Sequence, residues 1–239
     1  MKVLLTGATG FVGAHTLHAL LADPRIATVL TLTRAPLSKS PYITSRHLES
    51  AKLVEIVHDD LGSYPPALLE RLRGVRGCVW CVGGRHTQRS RWPTDDEYVR
   101  VSVEYSRACA EALAGVASAP LRFVFCSGHA TELDQGKSLW VMERTRKVKG
   151  MAESALFEVA GKIAGRVEAY SVRPCGIYQK NPTLKDRFLT AVVLPSCRVE
   201  ELAVVMVEVA VEGNRERIVP HEKIKEWGGR LLKEGKGGE

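Results

Sequence analysis

Short apolar runs alternate with amphipathic ones along this chain. Lys2–Thr6 is an apolar run that ends at a glycine, the pattern of a strand buried on both faces. Phe11–Leu21 follows with Val12, Leu17, Leu20 and Leu21 at helical spacing, and Asp23-Pro24 ends it. Thr28–Thr33, Leu53–Val57, Gly77–Val82, Leu121–Cys126 and Val167–Arg173 repeat the strand pattern. Between them, helices are predicted over Pro65–Arg73, over Thr94–Gly115 with Thr94 as its cap and acids in its first turn, and over Lys137–Gly165. Ala35–Ser50, with two prolines and several hydroxyl residues, reads as a loop holding at most a short helix. After the sixth strand come a helix at Val199–Val211, a brief strand at Arg217–Val219, a last helix at His221–Lys233 and a frayed tail at Lys236–Glu239. Strands alternating with helices predict an α/β architecture, a doubly wound parallel sheet in one domain over 1–239. The stretch from about 178 to 239 is expected to form a small substrate cap.

Composition adds bounds. The 239 residues, 45% hydrophobic and 26% charged, suit one soluble globular domain with a proper core. No apolar run reaches ~18 residues, so no membrane span is expected. Met1–Thr6 runs straight into a glycine loop and leaves no room for a signal peptide, which makes the cytoplasm the expected address. Of the six cysteines, Cys78 and Cys81 have C-x-x-C spacing. They fall in a predicted strand, where residues three apart face opposite sides. No second such pair or histidine pair completes a zinc site, so no metal is expected and the thiols read as core.

The formal charge is +7. Its carriers are scattered: Arg85, Arg89 and Arg91, then Arg144, Arg146, Lys147 and Lys149, with no basic run interleaved with aromatics. Nucleic acid is therefore not the expected partner. A polyanionic cofactor explains some of the charge and solvated faces the rest.

Between the first strand and the first helix stands Thr6-Gly7-Ala8-Thr9-Gly10-Phe11-Val12-Gly13. In such a loop Gly7 allows the tight turn, Gly10 lets main chain approach a pyrophosphate, and Gly13 lets the helix pack close to the sheet. The helix start then offers N–H groups and the positive end of its dipole to phosphate. This is a Rossmann dinucleotide site, with Gly7 through Gly13 as cofactor residues.

These residues resemble the atypical and extended short-chain dehydrogenases/reductases. His58-Asp59-Asp60-Leu61 is similar to the family's adenine-contacting pair, implying roles for Asp60 and Leu61. Val82-Gly83-Gly84 resembles its small-residue turn beside the cofactor. Lys149-Gly150-Met151-Ala152-Glu153 resembles the K-G-x-x-E of the NmrA-like and Tat-interacting-protein oxidoreductase groups. Arg173-Pro174-Cys175-Gly176-Ile177-Tyr178 resembles the segment that frames the nicotinamide, implying contacts from Pro174 to Ile177.

NAD-specific domains carry an acid at the end of the second strand, about 20 residues beyond the glycines. Here Arg34 takes that place, where a guanidinium can stack on adenine and pair with a 2′-phosphate, so NADP(H) is the expected cofactor.

The resemblance implies a Ser–Tyr–Lys constellation, in which the lysine grips the ribose and lowers the tyrosine pKa. Ser127 and Lys149 match it. Four residues before Lys149 stands Thr145, and no tyrosine lies between Ser127 and the sixth strand. A threonine hydroxyl is far too weak an acid to replace a phenol. Three readings stay open: an oxidoreductase whose proton comes from Tyr178, His129 or His86; a redox-neutral enzyme on the same scaffold; and an NADP sensor of NmrA type that binds a partner. The substrate is expected to be a small molecule, with His86, Trp140, Trp92 and the Arg85–Arg91 loop as its walls, although Trp140 also fits a core position. The oligomeric state is open, a homodimer being one option.

Overall fold

The computed structural model describes residues 1–88, 93–118, 120–179 and 195–235. Arg89, Arg91, Trp92 and Lys236–Glu239, and the part of the expected cap at 180–194, lie outside the described residues.

Seven strands form one wholly parallel sheet: β1 (Lys2–Thr6), β2 (Thr28–Thr33), β3 (Leu53–Val57), β4 (Gly77–Trp80), β5 (Leu121–Cys126), β6 (Val167–Val172) and β9 (Ile218–Val219), in the order β3-β2-β1-β4-β5-β6-β9. This is the expected doubly wound α/β arrangement. Chain order reverses between β1 and β4, and the crevice at their carboxyl ends is where sheets of this kind bind ligands. A separate parallel pair, β7 (Gly176–Tyr178) with β8 (Ser196–Arg198), joins segments too short to show a period in sequence.

The helices are α1 (Phe11–Ala22), α2 (Ser45–Leu48), α3 (Pro66–Leu72), α4 (Asp95–Val99), α5 (Tyr105–Val116), α6 (Glu143–Lys162), α7 (Val199–Glu212) and α8 (His221–Lys233). The long helix expected over Thr94–Gly115 is broken by a π-helical turn at Arg100–Glu104, which buries Val101, Ser102 and Val103 together. The helix expected from Lys137 begins six residues later. Gly136 N–H donates to the Asp134 carboxylate, Met142 takes a left-handed conformation (φ 52°), and the loop before α6 lies across that helix. Gly150 permits this, because a Cβ there would overlap the Glu132 carbonyl.

Side-chain alternation sorts the sheet into two cores. Leu4, Cys78, Trp80, Phe123 and Phe125 face α5 and α6; Val3, Leu5, Val79 and Val124 face α1 and α7. Cys78 and Cys81 accordingly pack into opposite cores, and all six cysteines are free thiols. The described C-terminal segment is part of the sheet and its core. Helix α7, apolar nearly all round, is buried against α1 and the sheet, and β9 extends the sheet beside β6. Helix α8 closes on α7 through Gly228, where a Cβ would stand 2.6 Å from the Glu201 carbonyl oxygen. No described helix is long and apolar enough to cross a membrane.

Two glycines test this packing. A Cβ at Gly13 would overlap the Gly7 carbonyl, whereas Gly161, near the end of α6, has nothing within 4 Å of its Cβ position. Gly13→Ala is expected to cost about 2–4 kcal/mol by overpacking main chain against main chain. Gly161→Ala is expected to stabilise by about 0.5–1 kcal/mol. Urea unfolding midpoints check both, and equal midpoints would contradict the packing described.

Candidate functional site

The glycine loop leaves β1 and enters α1 at the carboxyl edge of the sheet. Gly7 has φ +71°, and a Cβ there would stand 2.7 Å from the Cys81 carbonyl, so both conformation and space require glycine. Gly10 N–H donates to the Gly7 carbonyl (2.9 Å), and Gly10 begins α1 with no side-chain cap and no acid in the first turn. The first amides of α1 therefore face the crevice without a competing carboxylate. Ser40, beyond β2, fixes the loop by donating its hydroxyl to the Thr9 carbonyl (2.8 Å). Ala8 is buried, while Phe11 and Val12 lie on the half-exposed rim, Phe11 packing edge-on against His15.

The other residues expected around a cofactor line the same edge. Arg34 directly follows β2, is exposed, and has no hydrogen-bond or ion-pair partner among the described residues. After β3, the Asp60 carboxylate accepts from Gly62 N–H (2.9 Å), and the Leu61 side chain is buried in the core, which leaves only its main chain for a ligand. After β4, Gly83 has φ +141° with open space at its Cβ position, and the Gly84 carbonyl accepts from the Tyr98 hydroxyl (3.2 Å). Pro174 and Cys175 follow β6, while Gly176, Ile177 and Tyr178 form β7.

Ser127 and Lys149 meet. The ammonium of Lys149 donates to the Ser127 carbonyl (2.8 Å), and burial lowers its pKa. The Thr131 hydroxyl donates to the Gly128 carbonyl (2.7 Å), so the 2.9 Å bond between Thr131 and Ser127 runs from the Ser127 hydroxyl. Glu153, four residues beyond Lys149 on α6, is 1% exposed and accepts from Ser171 Oγ (2.6 Å) and Arg173 Nε (3.0 Å), with a second contact to Arg173 Nη2. The K-G-x-x-E motif thus carries one residue for the site, one glycine for the crossing loop, and one anchor to β6.

Thr145, one turn before Lys149 on α6, is buried and already engaged. Thr145 Oγ1 accepts from the His86 N–H (3.0 Å) and abuts the Tyr98 phenol, whose pKa is raised by burial. The His86 ring packs on Tyr98 (centroids 5.3 Å apart), and its Nε2 lies 3.3 Å from Asp95 Oδ1. Arg144, next to Thr145, donates from Nε to Asp95 Oδ1 (2.8 Å) and also pairs through Nη2. Asp95, Tyr98 and Arg144 escape sequence reasoning because two helices far apart in the chain, α4 and α6, bring them together beside the loop after β4; the acids read as a helix-capping turn are the only hint.

The remaining candidates lie apart from this cluster. His129 is exposed, donates its N–H to the Pro174 carbonyl (2.7 Å), and stacks edge-on against buried His221. Tyr178 is on β7 near Glu201 and Arg198. Trp140 is wholly exposed, which removes the core option, and Val141 and Met142 are exposed beside it. Trp92 lies outside the described residues. An open groove of about 550 Å³ along α8, lined by Trp227 and Arg230 among others, contains none of these residues.

The family model described as the NAD dependent epimerase/dehydratase family matches residues 3–138. Leucinostatins biosynthesis cluster protein T of Purpureocillium lilacinum is 26% identical over 168 residues, 70% of this chain and 55% of that protein. The nonribosomal peptide synthetase malG of Malbranchea aurantiaca is 48% identical over 56 residues, 23% of this chain and 2% of that protein. The chain thus spans about half the length of the first of these relatives and a small fraction of the second. Among solved structures, a dTDP-glucose 4,6-dehydratase from Streptomyces venezuelae with NAD bound superposes with TM-score 0.67 at 19% identity, over 98% of this chain and 80% of that one. The yeast methylglyoxal/isovaleraldehyde reductase with NADPH gives 0.68 at 16%, over 92% and 78%. These likenesses show the fold, of the extended short-chain dehydrogenase/reductase kind.

Glu153 supplies the test of how α6 is held. Glu153→Gln leaves the Arg173 guanidinium, 17% exposed, without its counter-charge, which is expected to cost about 3–5 kcal/mol. Lys162→Ala removes only the exposed pair with Glu158 and is expected to cost under ~0.5 kcal/mol. Denaturant unfolding measures both, and similar small losses would mean that the buried pair does not hold the helix.

Proposed function

The chain belongs to the NAD dependent epimerase/dehydratase family, and on that premise we propose that it is an NADP(H)-binding oxidoreductase acting on a small organic substrate. One observation carries the cofactor reading: an uncapped, acid-free helix start behind a glycine loop, with unpaired Arg34 at the end of β2 where an NAD-binding site has a carboxylate. The residues fit a dinucleotide, since the loop is main chain against main chain and Gly10 is exposed, with only the Gly7 carbonyl oxygen, 3.4 Å away, near its Cβ position.

When bound, NADP(H) supplies hydride chemistry. The chain's own residues do the rest. The α1 amides hold phosphate, Arg34 pairs with the 2′-phosphate, and Lys149 turns from the Ser127 carbonyl to a ribose hydroxyl. Ser127 orients the substrate oxygen. His86 takes the acid–base role of the absent tyrosine: Asp95 draws Nε2–H toward itself, which leaves Nδ1 to accept or hand over a proton. Tyr98 is buried, so its phenol stays protonated and serves to seat the His86 ring. The names of the two curated relatives support peptide-derived metabolites as the substrate class.

A second reading, an NADP sensor or redox-neutral enzyme, is favoured by Thr145, whose hydroxyl is already engaged by the His86 main chain.

Two measurements test these assignments. Calorimetry is expected to show NADP+ bound about ten- to a hundredfold more tightly than NAD+, the worth of one charge-assisted contact, with the preference lost in Arg34→Ala. Equal affinities would remove the NADP assignment. NADPH oxidation over a panel of aldehydes, ketones and enones is expected to fall about 10²–10⁴-fold in His86→Gln, with NADPH affinity unchanged. Tight binding with no turnover in wild type would favour the second reading.

A further inference from the structure

The register of β4 and β5 pairs Trp80 with Phe125, so the next residues along, Cys81 and Cys126, stand side by side at the carboxyl edge. Partners on adjacent parallel strands point to the same face, and both thiols pack against the core shared by α1 and α7. Main chains of neighbouring strands lie about 4.8 Å apart, within the roughly 4.4–6.8 Å that a disulfide spans between Cα atoms. Accessibility separates the six thiols into two groups. Cys78, Cys109 and Cys197 are sealed at 0% exposure, whereas Cys81 and Cys126 are each partly exposed, as is Cys175 on its own segment. The Cys81 carbonyl is also the wall against which Gly7 turns, and the Cys126 carbonyl lies 3.5 Å from the Lys149 ammonium.

We propose that Cys81 and Cys126 form an oxidisable thiol pair under the glycine loop, which closes a disulfide with a peroxide-class oxidant and is shielded by bound dinucleotide. The shielding rests on the cofactor reading above; the thiol chemistry does not.

Charge assigns the two roles. The Cys81 thiol donates to the Cys126 sulfur, and this bond, with the nearby Lys149 ammonium acting the same way against burial, holds Cys126 below the ordinary thiol range. The same contact and burial push Cys81 well above it. Cys126 is therefore the attacking thiolate. Its sulfur takes one peroxide oxygen, the O–O bond breaks, and the hydroxide released collects the proton that Cys126 gave up. The Cys81 sulfur then attacks the sulfenic sulfur, the S–O bond breaks, and the Cys81 proton leaves with that oxygen as water. Two thiols and one peroxide become one disulfide and two waters.

The C-x-x-C spacing therefore points at the right residue with the wrong partner. Cys78 turns its sulfur toward Cys109 in the opposite core.

Reduced full-length protein treated with hydrogen peroxide, alkylated and digested with trypsin without reduction tests this. The expected product joins peptide Gly77–Arg85 to peptide Phe123–Lys137, and fragmentation places the bridge on Cys81. It is kept in Cys78→Ser and absent from Cys81→Ser. With NADP+ at tenfold its Kd, only about one molecule in ten stays open, so bridging is expected to slow about tenfold. A bridge from Cys126 to Cys78 or Cys197, or oxidation of Cys126 with no bridge, overturns the pair. An unchanged rate with NADP+ shown by calorimetry to be bound overturns the shielding. If calorimetry shows no NADP+ binding, the cofactor reading and the shielding fail together, and the bridge is still decided by the peptides.

Discussion

Three main-chain segments meet at the carboxyl end of β1 with no side chain between them. Gly7 turns against the Cys81 carbonyl, and Gly13 brings α1 down onto the Gly7 carbonyl itself. This contact sets the depth at which α1 rides on the sheet, and hence where its open amides point. A methyl group at either glycine would push the helix away from its seat, and the loop's phosphate-facing geometry would go with it. The free thiol of Cys81 belongs to the same residue as that wall and packs into the core beneath α1.

The opposite wall is held by charge. Glu153 ties α6 to the end of β6 through Ser171 and Arg173, a buried pair whose worth lies in what its loss would leave exposed to low dielectric. Lys149 is thereby carried to the end of β5, where its ammonium has two carbonyls as partners and a nearby thiol pair as its electrostatic neighbour. The position one turn earlier holds a threonine, and the space a tyrosine ring would use is taken by the loop that follows β4. That loop brings a histidine, oriented by an aspartate that an arginine holds in turn. The imidazole at this edge of the sheet therefore stands on the loop after β4 and not on α6.

Much of this was legible in the sequence. Strand limits at Lys2–Thr6, Thr28–Thr33 and Leu121–Cys126 follow from apolar runs bounded by turn residues, because a strand buried on both faces is apolar along its length, and the limits of the more exposed edge strand Leu53–Val57 follow from its β-branched run. The glycine loop, Arg34 and Ser127 are local signals too: each owes its place to the strand end it follows or the helix it starts, while Lys149 is marked by the K-G-x-x-E run within α6. The late start of α6 and the π-helical turn after α4 were not legible, since both come from tertiary crowding that overrides local propensity.

The sequence by itself determined the order of strands and helices, the dinucleotide-type loop and the absence of a tyrosine before Lys149, because those depend on residues close in the chain. Only the tertiary structure decided that α7 belongs to the core layer, that Cys81 answers to Cys126 and not to Cys78, and that His86 meets Asp95 and Thr145. The reason is the sheet. Parallel strands are joined by long crossovers, so residues that share an edge are tens of positions apart in the chain, and no spacing rule connects them.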